Sequence, residues 1–244
     1  MAFRLRACER PAQGLARVAI EQMDLATRVL RPPVDDRDIH RARQSFKRLR
    51  AIVRLLKPML GGRAKSLHVA LRQAGRALSP CRDASVIQTT LNQLNIHPPP
   101  AIPAACLSPP ATLIEDLQAI RCKFDAWSQA SLKRKQLAQS FRRTQKRARQ
   151  ARKRALSQGT TDDWHTWRKR VKDLFYQSQC LGSPHSKTRR LARLAKVLGD
   201  EHDLSLLESA GENGQKAPAP WQSKLNVRRE KLRRCARKLS RSIA

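Results

Sequence analysis

His40-Arg41-Ala42-Arg43-Gln44-Ser45-Phe46-Lys47-Arg48-Leu49-Arg50-Ala51-Ile52-Val53-Arg54 is the stretch whose reading decides the fold class. Phe46, Leu49 and Val53, with Ile39 before and Leu56 after, recur every three or four positions, the spacing of one face of an α-helix. At about 100° per residue, His40, Arg43, Lys47, Arg50 and Arg54 fall in an adjoining stripe roughly 80° wide. One helix thus offers a face for a core and, beside it, a row of cations. No acidic residue lies within the stretch to pair with them at i,i+4 spacing.

The same pattern continues outward in both directions. Leu, Ala, Arg, Lys and Gln dominate, and no segment sustains the apolar–polar alternation of a half-buried strand. The expectation is an all-α chain, with helices near 12–31, 37–57, 63–78, 83–95, 111–157 (broken near Ala130), 163–181, 185–198, 201–210 and 221–242. Asp36 and either Thr161 or Asp162 stand where N-caps belong, and Gly61 and Gly199 where helices stop. Pro98, Pro99, Pro100, Pro103, Pro109 and Pro110 form a connector that cannot be helical, and residues 211–220 and 159–162 are shorter breaks.

A second copy of the opening pattern follows. His165, Arg168 and Lys172 repeat the offsets of His40, Arg43 and Lys47, and the break Leu78-Ser79-Pro80-Cys81-Arg82-Asp83 has a counterpart in Leu198-Gly199-Asp200-Glu201-His202-Asp203. An internal duplication is expected, with pseudo-twofold symmetry and a site at its centre. Repeat one is read over 12–97, the connector over 98–110, and the central basic helices with repeat two over 111–243, all within one domain spanning residues 1–244.

Charge narrows the partner. The chain has 51 Lys or Arg against 19 Asp or Glu in 244 residues, a formal net charge of +32. With 40% hydrophobic residues it can build a core, so the excess charge points to a polyanion: nucleic acid, an anionic membrane surface or a polyphosphate. Aromatics are only 4%, too few for a binder that stacks single-stranded bases. No apolar run approaches the ~20 residues of a membrane helix, and a cytoplasmic protein is expected. The 6 cysteines contain no C-x-x-C pair, which argues against a zinc module.

Further cationic rows reinforce the reading. Residues 131–157 hold eleven Lys or Arg and no acid; Arg142, Lys146, Arg149 and Lys153 share one face there. Arg189, Arg193 and Lys196 form a shorter row opposite Leu191, Leu194 and Leu198. Guanidinium groups fork onto phosphate oxygens and do not deprotonate, so rows facing one another would suit an extended phosphate chain.

These residues resemble a known family. The run from His40 to Arg50, the break from Leu78 to Asp83, their copies at His165 and Leu198, and Phe141-Arg142-Arg143-Thr144 with the basic run after it are together similar to the CHAD family, the conserved-histidine α-helical domain. The resemblance covers roughly residues 12–243. It implies two pseudo-symmetric four-helix bundles around a basic central channel that binds inorganic polyphosphate, with no catalytic activity in the domain itself; no cofactor or metal is expected. Phe175 stands where the second copy usually has Arg, and Ser85 replaces a common acidic residue, so no ligand role is carried onto Phe175.

Rival chemistries find less support. Asp35, Asp36 and Asp38, and Asp162 with Asp163, sit at helix starts, where capping and dipole compensation explain them. A metal held by His40, His165 and His202 would be repelled by Arg43, Lys47, Arg168 and Lys172. His68, His97 and His185 are expected to be ordinary surface residues. No P-loop, G-x-S-x-G or H-E-x-x-H pattern occurs. The expected ligand set for polyphosphate is therefore His40, Arg43, Lys47, Arg50, Arg54, Arg82, Arg142, Lys146, Arg149, Lys153, His165, Arg168, Lys172, Arg189, Arg193, Lys196 and His202. Residence on polyphosphate granules fits this reading, and backbone binding to DNA or RNA is the alternative.

Overall fold

Apolar residues at helical spacing pack into helices throughout the computed structural model, which describes residues 3–96, 110, 112–209 and 219–241. The chain is all-α, with no strand among the described residues. Its helices are α1 (Pro11–Val29), α2 (Asp36–Leu55), α3 (Lys57–Leu60), α4 (Arg63–Ala77), α5 (Ser79–Gln93), α6 (Thr112–Asp125), α7 (Arg134–Ser157), α8 (Thr161–Cys180), α9 (His185–Ser209) and α10 (Ala219–Arg241). The break expected near Ala130 separates α6 from α7, and the one at Ser79-Pro80 separates α4 from α5. The proline-rich connector apart from Pro110, residues 211–218, His97 and the side chain of Arg82 lie outside the described residues.

Three local expectations are corrected. Asp35, not Asp36, caps α2: its carboxylate accepts from the Asp38 backbone N–H at 2.7 Å, and Asp38 reaches back to the Asp35 N–H. Thr160 takes the equivalent position before α8, its hydroxyl accepting from the Asp163 N–H at 3.1 Å. Gly199 does not stop a helix; α9 runs through it from His185 to Ser209. Glycine in a helix interior costs about 1 kcal/mol relative to alanine. The buried stripe of Leu191, Leu194, Leu198, Leu204 and Leu207, continuous across the glycine, outweighs that cost.

The helices gather into two units. The first comprises Met1–Cys81, Cys106–Lys146 and Tyr176–Ser183. Within it α1 packs on α2 and α6, α2 on α4, and α4 on α6, closing a ring of four helices. Leu15, Met23, Ile39, Phe46, Leu49, Ile52, Leu71, Leu117 and Phe124 fill its interior. A strap before α1 is tied to the same unit. Leu5 donates its N–H to the Cys180 carbonyl at 2.8 Å, and Phe3 meets Tyr176 edge-on. Glu9 grips Arg17, whose guanidinium holds the Glu9 carboxyl down to about 2. Gly14 makes this approach possible, since a Cβ there would stand 2.7 Å from both Leu5 and Glu9.

The second unit comprises Arg82–Ala105, Arg147–Phe175 and Pro184–Ala244. One buried cluster joins Ala151 and Ala155 of α7, Trp164, Trp167 and Val171 of α8, Leu194 and Leu198 of α9, and Ala236 of α10. Another joins Leu91 of α5, Leu204 and Leu207 of α9, and Leu225 and Leu232 of α10. Between them lies an ion pair. Arg233 of α10 donates from Nε at 2.9 Å and Nη2 at 2.8 Å to Oε1 of the buried Glu201 of α9, and its guanidinium lies over Trp164 of α8.

Removing one partner of such a pair leaves a charge stranded in the core. Glu201→Leu is expected to cost about 3–5 kcal/mol in urea unfolding, whereas Glu201→Leu with Arg233→Met should recover most of that loss. If the double variant is no more stable than the single, the pair is not what holds α9 to α10.

Candidate anion-binding site

The cationic rows differ in how far packing covers them. On α7 the buried face is narrow, with Leu137 near its start followed by the small residues Ser140, Thr144, Ala148, Ala151 and Ala155. Arg142, Lys146, Arg149 and Lys153 on the other side are all exposed. Eleven residues separate the first from the last, so the row runs about 16 Å along the helix. On α9, Arg189, Arg193 and Lys196 are likewise exposed, but Lys196 is tied to Asp200 at 2.9 Å.

The row on α2 is different. His40 is exposed, while Arg43, Lys47, Arg50 and Arg54 are half-buried. Arg43 donates from Nη1 to the Gly75 carbonyl and to the Ser79 hydroxyl, both at 2.8 Å, and so closes the C-terminal end of α4 against the start of α5. Arg54 Nη2 lies 3.2 Å from His68 Nε2. A guanidinium only donates, so Nε2 of His68 accepts and its proton sits on Nδ1. His68 is thus a partner inside the fold and not the bystander its sequence context suggests. Arg48, outside the expected row, is half-buried between Gln22 and the Phe3 ring, and burial lowers its pKa.

The second unit brings two expected residues into direct contact. His165 on α8 and His202 on α9 stand with Nδ1 atoms 3.1 Å apart and ring centroids 4.3 Å apart. Burial, reinforced by Lys169 and Arg168, pushes His165 down to about 4. Burial, with Arg168, His165, Lys169 and Lys172 added, pushes His202 down to about 3. Both rings are neutral at pH 7, and Arg168 and Lys172 lie half-buried beside them. Lys169, exposed and four residues after His165, belongs with this group; its helical offset was the signal that the sequence reading passed over.

Among the described residues no group of three or more His, Cys, Asp or Glu side chains is arranged to hold a metal ion. Nor is any helix there long and apolar enough to cross a membrane. Residues 15–212 match the model of the CHAD domain.

The chain belongs to the CHAD domain family.

The match runs from within α1 past the end of α9 and includes both His40 and His165, in agreement with the resemblance read from those motifs. The strap and α10 of this CHAD domain lie outside the matched span. Neither a curated protein nor a solved structure matches the chain.

The histidine pair has a consequence for stability. Its folded-state pKa values lie below the ordinary value near 6.5, so below that pH the unfolded chain binds protons that the folded pair excludes. Stability is therefore greatest above about 6.5 and declines as pH falls toward 4. The urea midpoint of the wild-type protein should drop between pH 7 and 5, and His165→Gln with His202→Gln should flatten the drop. An equal drop in the double variant would assign it to other groups.

Proposed function

We propose that this CHAD domain binds inorganic polyphosphate through its Lys and Arg faces and is itself not an enzyme. The observation that carries the proposal is the row Arg142, Lys146, Arg149 and Lys153 on α7, exposed along its whole length within a segment that has no acid. Neighbouring cations at i,i+3 and i,i+4 stand ~5–6 Å apart, so a single phosphate reaches only one or two of them. A linear phosphate chain reaches all in turn. Each contact is a charge-assisted hydrogen bond, and each phosphate neutralised releases counterions.

His40, Arg50, Arg54, Lys47 and Arg43 on α2, Arg168, Lys172 and the histidine pair in the second unit, and Arg189, Arg193 and Lys196 on α9 are read as further contacts. Arg43 combines that role with closing α4, and Lys196 would exchange Asp200 for phosphate. Arg82 remains in the ligand set from its motif alone. The surroundings proposed for the protein are the cytoplasm and polyphosphate granules.

The distribution of aromatic residues favours polyphosphate over single-stranded nucleic acid. Trp127, Trp164 and Trp167 are buried in the two cores. Stacking platforms, which contribute about 1–3 kcal/mol per base in dedicated binders, would have to stand on the surface.

Competition at matched phosphate concentration and ~0.15 M salt tests the reading, with polyphosphate expected to displace both DNA and RNA. Geometry is tested by two double variants of equal charge. Arg149→Glu with Lys153→Glu should weaken polyphosphate binding by tenfold or more. Arg147→Glu with Arg154→Glu, roughly 120° around the same helix, should weaken it much less. Equal losses would assign binding to diffuse charge, and displacement of polyphosphate by DNA or RNA would make nucleic-acid binding the better account.

A further inference from the structure

The contact between His165 and His202 restricts how many protons the two rings hold. With Nδ1 atoms 3.1 Å apart, one ring must donate N–H to the lone pair of the other. The neutral pair satisfies this, and so does a pair carrying one extra proton on the donor ring's Nε2. Two imidazolium rings do not, because two N–H groups would then point at each other. The pair therefore accepts one proton without breaking its bond, and a second only by coming apart.

Its surroundings decide whether that proton is held. From α8 the rings face Arg168, Lys169 and Lys172, with Asp162 acting in the opposite direction. On α9, Glu201 and Asp203 flank His202, and Glu201 is already committed to Arg233 of α10. Of α7's cations near the shared core, Arg152 is bonded to the Ser240 hydroxyl of α10. The described side chains of α5, Ser85–Gln93, carry no titratable group. Among the described residues, Arg168, Lys169 and Lys172 are the cations that lower the proton affinity of the pair, and an anion laid against them would offset that effect.

Resting on the polyphosphate reading above, we propose that the His165–His202 pair is a one-proton site linked to anion binding: a phosphate chain laid against Arg168, Lys169 and Lys172 is taken up together with a proton that the two rings share. Without the anion the cations repel the proton and the pair stays neutral. With it, one ring becomes imidazolium, donates Nδ1–H to its neighbour, and adds a positive charge to the site. The proton comes from solvent, and no covalent bond changes. Linkage is reciprocal, so an anion that raises the proton affinity of the pair binds more tightly as pH falls. A single linked proton sets the steepest dependence at about tenfold in affinity per pH unit.

Calorimetry with long-chain inorganic polyphosphate, in which titrating terminal phosphates are few, tests this on the full chain. Binding is measured at pH 8, 7, 6 and 5.5 in buffers of different ionisation enthalpy. The expected result is binding at pH 8, tighter binding on acidification, and proton uptake that rises toward one per protein. His165→Gln and His202→Gln should each abolish that uptake and flatten the pH dependence, whatever affinity each retains at pH 8. In the unmodified protein, the ring proton resonances of His165 and His202 should titrate at higher pH with polyphosphate than without it. No binding at pH 8 or below would overturn the polyphosphate reading itself. Binding with no proton uptake, uptake unchanged in both variants, or unshifted His165 and His202 resonances would overturn the linkage and leave that reading standing.

Discussion

The ion pair of Arg233 with Glu201 fixes the second unit. Glu201 is a carboxylate set into the leucine stripe of α9, and its side chain is 3% exposed. A carboxylate there is tolerable only because Arg233 places two N–H donors on it, and Arg233 in turn is shielded by the face of Trp164. Three helices meet at that point. The same allocation recurs elsewhere. Glu208 holds Arg229, Glu9 and Glu21 hold Arg17, and Asp24 holds Arg121. Against 51 basic residues the chain has 19 acids, and many of them neutralise cations at the margins of the cores. What is left over, on α7 most of all, is positive surface.

This allocation explains where sequence reading succeeded and where it failed. Helix positions followed from leucine and alanine spacing alone, because that spacing is the burial pattern itself. Gly199-Asp200-Glu201-His202-Asp203 misled for the opposite reason. A glycine followed by polar residues has the signature of a helix end, yet Glu201 occupies a core position through a partner 32 residues away, and the half-buried His202 meets one 37 residues away. Local pattern carries no information about such partners. The caps expected at Asp36 and at Thr161 or Asp162, in place of Asp35 and Thr160, are smaller errors, because neighbouring Asp and Thr residues are all competent caps and only backbone geometry selects among them.

Rows with nearly the same spacing met different fates, which shows what periodicity leaves out. On α2 the apolar face is broad, with Ile39, Ala42, Phe46, Leu49, Ile52, Val53 and Leu55 all buried, and the flanking cations are drawn into its packing. There Arg43 and Arg54 find hydrogen-bond partners within the fold. On α7 the buried face beyond Leu137 is a strip of Ala, Ser and Thr, and the row stands clear of it. Helical offsets give the direction of a side chain. Its exposure depends on the width of the apolar face beside it, and the residues that set that width can be read from the sequence once the comparison is made.

A surface assembled this way works against the stability of its own helix. Like charges at i,i+4 destabilise a helix by a few tenths of a kcal/mol per pair, and α7 holds Arg142 with Lys146 and Arg149 with Lys153 on one face. Beyond Leu137, the narrow strip of Ala, Ser and Thr that leaves the row exposed buries little apolar area to offset that repulsion. The exposed row is therefore destabilising in the free protein, and on the proposed function an anion laid along it would both bind and relieve the strain. Binding to the folded state and stability of the folded state are then one linked equilibrium. A protein that needed only a stable fold would place acids among these cations, as the margins of the two cores do; leaving them out of residues 131–157 altogether makes sense if the missing negative charge is supplied by a ligand.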